Sequence, residues 1–304
     1  MEKVIIIGAG PAGISAALYA VRGNLDPLVI NNGIGALEKA EKIENYYGLE
    51  HPLSGQELYD TGIAQAKALG VRMLDAQVLG VGGFDTFVVK TTEGEFETQS
   101  LILATGSKRA APKIPGVKEF EGKGVSYCAI CDAFFYRGKD VAVLGNGDFA
   151  MHEAKELSNT ASTVTIYTNG EEPEFTPEGN ISVNTMKIQS VEGDDLVSGI
   201  RLAPDIQAKE MNIDTDQQTN DFCPADGVFI AMGTAGSTEI ARQMGAELTE
   251  KGNIKVNESM ETTIPGLYAA GDCTGGLLQV AKAVYEGAQA GISAGKYVRS
   301  LNKE

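Results

Sequence analysis

The sequence is short of several residue types, and each shortage excludes something. Two His in 304 residues leave little room for a His-built metal site or a His-based catalytic triad. Four Cys cannot make the framework of a disulfide-stapled fold. Basic residues are scarce: 25 Lys and Arg stand against 41 Asp and Glu, a formal net charge of −16. So acidic a chain is a poor partner for nucleic acid or an anionic membrane surface. One long uncharged run exists, residues 4–21 (VIIIGAGPAGISAALYAV). Its three Gly and a Pro make a poor membrane helix. With no other candidate span, a cytoplasmic protein is expected.

What is present is ordinary for a folded chain, at 43% hydrophobic and 22% charged residues. The length suits two domains of roughly 150 residues each. The charge is uneven. Residues 1–139 are net −2, residues 140–260 net −14 and residues 261–304 neutral. Within the first block, residues 108–139 hold Lys108, Arg109, Lys113, Lys118, Lys123, Arg137 and Lys139 against Glu119, Glu121 and Asp132. That window is net +4.

Two strand–turn–helix units stand out. Val4–Ile7 is a short β-branched run, as in a buried parallel strand. A Gly turn follows, then a helical stretch over Ile14–Arg22 and a second apolar run over Pro27–Ile30. Gly55–Leu69 has helical periodicity, and residues 71–103 suggest an antiparallel meander. The second unit has a strand at Val141–Leu144, a turn at Gly145–Gly147, a helix at Phe149–Asn159 and a strand at Val164–Tyr167. Further strands are expected at Ile181–Val191, Leu196–Leu202, Gly227–Met232 and Leu267–Ala270. A long helix is expected over Leu277–Val298.

Gly8-Ala-Gly10-Pro11-Ala12-Gly13 fits the dinucleotide fingerprint G-x-G-x-x-G. Gly8 makes the tight turn, Gly10 lets a pyrophosphate near the backbone, and Gly13 lets helix and strand pack. The exposed helix N-terminus then faces the phosphates. In place of the usual acid, the second strand ends in Asn31, which can still bond a ribose hydroxyl. Near the C-terminus, Gly266-Leu-Tyr-Ala-Ala-Gly271-Asp272 is an apolar strand ending in Gly-Asp. Asp272 there suits a ribityl chain. With Ala104-Thr105-Gly106, these pieces resemble the FAD-binding domain of two-dinucleotide-fold flavoprotein disulfide reductases.

Cys128-Ala-Ile-Cys131-Asp132 is a C-x-x-C. A zinc site wants a second pair, but Cys223 and Cys273 are lone residues 50 apart. A redox dithiol fits better, since a stabilised thiolate attacks disulfides at neutral pH. Asp132 offers the acid that a departing thiolate needs.

This pentapeptide, about 20 residues after Ala-Thr-Gly and just before Phe-Phe-Tyr-Arg-Gly-Lys, resembles the low-molecular-weight thioredoxin reductases. Ile43-Glu44-Asn45-Tyr46-Tyr47-Gly48 and Gln279-Val280-Ala281 match that family's flavin-side segments. The resemblance implies an α/β fold of two Rossmann-like, three-layer ββα dinucleotide-binding domains, the second inserted in the first. The FAD-binding domain is expected over 1–113 and 245–304. The central domain, carrying the Cys pair, is expected over 117–243. The resemblance implies that Cys131 faces the flavin, Cys128 attacks thioredoxin and Asp132 is the acid. It also implies a homodimer and a central domain that rotates about hinges at Ala111–Val117 and Met244–Leu248.

The chain departs from the family in its second glycine turn, Gly145-Asn-Gly147-Asp-Phe149-Ala150. Phe149 stands where a small residue is usual and His152 where Glu is usual. After the next strand, where NADPH-dependent members carry a basic cluster, the chain reads Tyr167-Thr-Asn-Gly-Glu171-Glu172-Pro-Glu174. No Lys or Arg occurs from Glu156 to Met186. Gly233 is followed by Thr234-Ala-Gly236 in place of Pro-Asn. A phosphate among these carboxylates is disfavoured. The ferredoxin-dependent flavin thioredoxin reductases of clostridia share this loss, so reduced ferredoxin is the expected donor, steered by the basic window. NADH or NADPH stays open, because Glu171 lies where an acid can hold a ribose 2′-hydroxyl. A ferredoxin–NADP reductase is disfavoured by the Cys pair. A flavin-binding redox sensor without turnover is the reading of another class. Cys223 and Cys273 read as inert thiols, and His51 and His152 as surface residues.

Overall fold

The computed structural model describes residues 1–83, 85–106, 112–204, 221–233 and 236–301. By contact the chain divides into two units, Met1–Arg109 with Ala235–Glu304, and Ala110–Thr234.

The first unit opens with β1 (Glu2–Ile7), α1 (Pro11–Arg22) and β2 (Leu28–Asn31). Val4 to Ile7 are buried throughout, because β1 lies between β2 and another parallel strand. Next comes α2 (Gly55–Ala68). Ser54 and Glu57 cap it reciprocally: the Glu57 N–H donates to Ser54 Oγ and the Ser54 N–H to Glu57 Oε2. β3 (Arg72–Asp75), β4 (Val78–Gly82), β5 (Phe87–Thr91) and β6 (Gly94–Leu103) follow. The antiparallel meander expected over 71–103 holds for β4, β5 and β6. β3 departs from it and pairs parallel with β2, extending the dinucleotide sheet by a crossover through α2.

The second unit begins with β7 (Val125–Ser126) and the four-residue α3 (Ala129–Asp132). Then come β8 (Asp140–Leu144), α4 (Asp148–Ser158) and β9 (Thr163–Tyr167). The single strand expected over 181–191 is two, β10 (Ser182–Asn184) and β11 (Ile188–Gly193). They lie in different sheets: β10 pairs with β9, and β11 with β12 (Val197–Leu202). β13 (Phe222–Pro224) and β14 (Gly227–Ile230) complete the unit. Its parallel sheet runs β10-β9-β8-β14-β7, beside an antiparallel β11-β12-β13.

The chain then returns to the first unit with α5 (Ser237–Gln243), β15 (Leu267–Ala269) and α6 (Val280–Leu301). The first sheet is ordered β3-β2-β1-β6-β5-β4, with β15 also on β6. The division between units falls at Thr234/Ala235, upstream of the expected 243/245. The reason is local: the side chain and backbone of Ser237 bond Thr105, so α5 goes with the first unit. Of the expected hinges, Ala111 lies outside the described residues and Met244–Leu248 belongs to the first unit.

α1 and α6 touch along small residues. A Cβ on Gly287 would stand 2.1 Å from Ala12 O, and one on Gly291 2.3 Å from Ala16 O. Ala12, Ala16 and Ala20 are buried there. This close approach sets the C-terminal helix beside the first glycine turn.

Candidate functional site

In the first glycine turn, Gly8 has φ 108°, and a Cβ there would meet Ala104 O at 2.4 Å. A Cβ on Gly13 would lie 1.8 Å from Gly8 O, so α1 can lie against the turn only with Gly at that position. Gly10 differs: nothing lies within 4 Å of where its Cβ would be. Gly10 is the N-cap of α1, Pro11 opens the helix, no side chain caps it, and its first turn holds no acid. Unbonded amides at a positive helix end, beneath open space, suit a pyrophosphate.

The C-terminal segment folds over the same turn. Gly271 has φ 88°, and a Cβ there would stand 3.0 Å from the Ala12 side chain. The sequence did not single out the two residues that hold this loop. The buried Glu286 accepts from the Gly271 N–H at 2.8 Å and from the Thr274 hydroxyl at 2.9 Å. Lys282 pairs with Glu286 at 2.9 Å and donates to Gly271 O and Gly275 O. Their i, i+4 spacing on α6 was the available signal. Asp272 is half-buried; burial pushes its carboxyl up, Lys282 opposes this and Glu286 adds to it.

Other expected residues also meet. Asn45 Nδ2 donates to Gln279 Oε1 at 3.0 Å, across 234 positions of chain. Val280 opens α6, with Ala281 exposed beside it. Ala104 is buried and its N–H donates to Ile7 O, while Gly106 follows at φ 87°. Thr105 and Ser237 hydroxyls are 2.7 Å apart. Asn31 is held by the protein: it donates to Asp75 Oδ1 and accepts from the Tyr59 hydroxyl, both at 2.8 Å. One amide hydrogen and one lone pair remain for a ligand.

In the second unit, Cys128 and Cys131 form a disulfide with Cα atoms 5.4 Å apart. Cys128 is the N-cap of α3, and its Sγ accepts from the Cys131 N–H at 3.1 Å. Its sulfur thus sits at the positive end of a helix turn, which stabilises a thiolate. Cys128 is 2% exposed, and Cys131 is partly exposed. Asp132 Oδ2 accepts from the Ser126 hydroxyl at 2.6 Å, and Ser126 Oγ also accepts from the Cys128 N–H at 3.1 Å. Ser126 thus links acid and cysteine. Ile130, Phe134 and Phe135 are exposed around the pair, with the Arg137 guanidinium 5.6 Å from the Phe134 ring centre.

The second glycine turn repeats the first in topology only. Gly147 is the N-cap of α4, and Asp148 stands in its first turn. Glu174 Oε2 lies 3.9 Å from where a Cβ on Gly147 would be. The Glu174 N–H also donates to Asn146 O at 2.7 Å, fastening the acidic loop to the turn. Phe149 does not block the mouth of the turn: it points into the core and is 2% exposed.

His51 is exposed, but His152 is not the surface residue expected, with a side chain 12% exposed and Nε2 within 4.0 Å of Glu156. Cys273 is buried, which pushes its thiol up to about 12, as an inert packing thiol should be. Cys223 is half-buried. Lys108, Arg109, Thr234 and Ala235 lie outside the described residues. Among the described residues no group of three His, Cys, Asp or Glu is placed to hold a metal ion, and no helix is long and apolar enough to cross a membrane.

A dinucleotide cradle and a helix-capped disulfide, carried on two parallel-sheet units, define an oxidoreductase. Residues 2–287 match the family described as pyridine nucleotide-disulphide oxidoreductase. A thioredoxin reductase of Aquifex aeolicus is 35% identical over 99% of this chain and 94% of its own. The crystal structure of an atypical thioredoxin reductase from Desulfovibrio vulgaris Hildenborough superposes with a TM-score of 0.87, at 38% identity over 99% of both chains. That of a ferredoxin-flavin thioredoxin reductase from Clostridium acetobutylicum gives 0.68, at 29% identity over 99% of this chain and 98% of its own. The chain therefore belongs to the pyridine nucleotide-disulphide oxidoreductase family, among the thioredoxin reductases. FAD is the cofactor of this family, and the open, uncapped N-terminus of α1 fits its pyrophosphate.

Proposed function

We propose that this protein is a thioredoxin-disulfide reductase fed by reduced ferredoxin. One observation carries the choice of donor: the carboxylate of Glu174 stands beside the second glycine turn, 3.9 Å from where a Cβ on Gly147 would be. A phosphate there meets Glu174 and Asp148, and the sequence from Glu156 to Met186 offers no Lys or Arg to balance them. Two like charges at about 4 Å repel by roughly 1 kcal/mol even in water, and by more near a protein surface.

The first unit holds FAD through Gly8, Gly10, Pro11, Ala12 and Gly13 at the pyrophosphate, and Asn31 at the ribose. Asn45, Ala104, Thr105, Gly106, Gly271, Asp272, Gln279, Val280 and Ala281 serve the rest of the cofactor. Bound there, FAD stores two electrons between a one-electron donor and a two-electron disulfide. Cys131 is the sulfur on the flavin side. Cys128 attacks the disulfide of thioredoxin, which requires its covered sulfur to be uncovered. Asp132, held by Ser126, supplies the proton to the departing thiolate. Exposed Ile130, Phe134 and Phe135 give a protein partner apolar surface beside the pair. Exposed Lys113, Lys118, Lys123, Arg137 and Lys139 attract an acidic one. The family resemblance supports a homodimer.

Anaerobic mixing tests the donor through the flavin absorbance. Reduced ferredoxin should bleach it within seconds, and rapid bleaching by NADPH overturns the proposal. Bleaching by NADH alone favours the second reading, in which exposed Glu171 holds the 2′-hydroxyl of NADH.

A further inference from the structure

α4 carries an acid that the mechanism above leaves unused. Glu153 is 1% exposed, among the most buried charged residues of the protein. Its Oε2 accepts from the Ala129 N–H at 2.6 Å, and its Oε1 is buried with no hydrogen-bond partner among the described residues. Ala129 is the first residue of α3, directly after Cys128. Glu153 and the Cys128 sulfur therefore accept from two amides of one four-residue turn, those of Ala129 and Cys131. A carboxylate with one orphan oxygen in a dry interior is poorly solvated, so it gains by taking a proton.

We propose that Glu153 is a positioning residue for the Cys128–Cys131 pair: it fixes the amide that opens α3, and it shares one proton with the thiolate formed when the disulfide opens. The inference rests on the redox role proposed for that pair. As the S–S bond breaks, two electrons and two protons enter. One proton goes to one sulfur. The second rests either on the other sulfur or on Glu153, leaving a carboxylate beside two thiols or a thiolate beside a neutral acid. Two anions held on one short turn repel, so the two groups titrate as a coupled pair.

The surroundings allow this. Burial raises the Glu153 carboxyl to about 7, the Ala129 amide pulls it down, and Glu156 pushes it further up. The elements packed against α4 are α3, β8 and β9. They bring Cys131 and Asp132, Asp140, and Tyr167 respectively. α4 itself adds Asp148, His152, Lys155 and Glu156. Asp132 is tied to Ser126, Asp140 to Thr163 and Lys155 to Glu178.

The test uses the FAD-loaded protein, reduced with dithiothreitol, desalted anaerobically and alkylated with iodoacetamide over a pH range. Mass spectrometry reads Cys128 and Cys131. In the wild type the rate should rise in two steps separated by more than about one pH unit. In Glu153→Gln it should rise in one step, exceeding the wild type between its two steps by up to about tenfold. The same one-step profile in both overturns the role of Glu153. A second measurement needs no variant: at about pH 8, above the value of about 7 to which burial raises the carboxyl, reduction of wild-type protein labelled with ¹³C-glutamate should add a protonated-carboxyl infrared band, and no such band also overturns it. A pair that dithiothreitol does not open, or that once open does not reduce thioredoxin, overturns the enzymatic reading and this inference with it. Identical profiles on a pair that does reduce thioredoxin overturn this inference alone.

Discussion

The two glycine turns share a backbone plan and differ in what their helices meet. Both follow a parallel strand and open a helix whose N-cap is Gly. At the first, the space beyond Gly10 is open and the first helical turn holds no acid. At the second, Asp148 lies in the first turn and Glu174 reaches Gly147. The first helix end thus stands clear of carboxylates, and the second has two beside it. The topology supplies two Gly-capped helix ends, and they differ in the side-chain charge beside them. The helices behind the turns differ too. α1 buries small and apolar residues, whereas α4 buries Glu153 beneath the Cys pair.

The largest test of this contrast is Gly13→Ala. Its Cβ would stand 1.8 Å from a backbone oxygen, with no flexible atom to yield. The purified variant should carry no flavin, read as absorbance per chain. Full flavin content would break the claim that this turn is the cradle. Next is Cys128→Ser, which should cut thioredoxin reduction at least about a thousandfold, a barrier change of roughly 4 kcal/mol. Its flavin content should stay normal, which assigns the two functions to the two units.

The third test separates α4 from α1. The Glu153 carboxyl is raised from 4.5 to about 7 on folding. Between these values the folded state binds a proton that the unfolded state does not. Its stabilising effect is therefore full below about pH 4.5 and is lost as the pH rises through 7. The amount is about 3 kcal/mol at one pKa unit per 1.36 kcal/mol. Chemical denaturation of Glu153→Gln should lack this part of the pH dependence, and a parallel curve for wild type and variant sinks the assignment. The smallest effect is expected from Glu174→Ala. Relieving one repulsion of about 1 kcal/mol should strengthen NADPH binding about fivefold, seen by nucleotide fluorescence. No change would mean that charge is not what closes the second turn.

Much of this was legible in local patterns. The run before Gly8 and the spacing Gly8, Gly10, Gly13 specify strand, turn and helix, because only Gly tolerates those contacts. The Cys pair was legible because spacing and lack of a second pair exclude zinc. Other features depend on partners far along the chain. β3 joins the parallel sheet because its edge meets β2, which no alternation within residues 71–103 reveals. Residues 181–191 split because β10 and β11 find partners in different sheets. Phe149 departs from the small residue usual in this turn, and helical phase turns it into the core.

Sequence alone specifies the class of fold, the Cys-x-x-Cys pair, the first glycine turn and the surplus of acid in residues 140–260. Each follows from residues close together in the chain, where backbone sterics and thiol chemistry act locally. Only the folded chain shows that Glu286 and Lys282 hold the Gly271 loop, that Glu174 lies at the second turn, and that Glu153 reaches the amide beside Cys128. Those three depend on helix phase and loop path. A buried carboxylate acquires its chemistry from whichever amide or charge the packing brings within 3 Å or so.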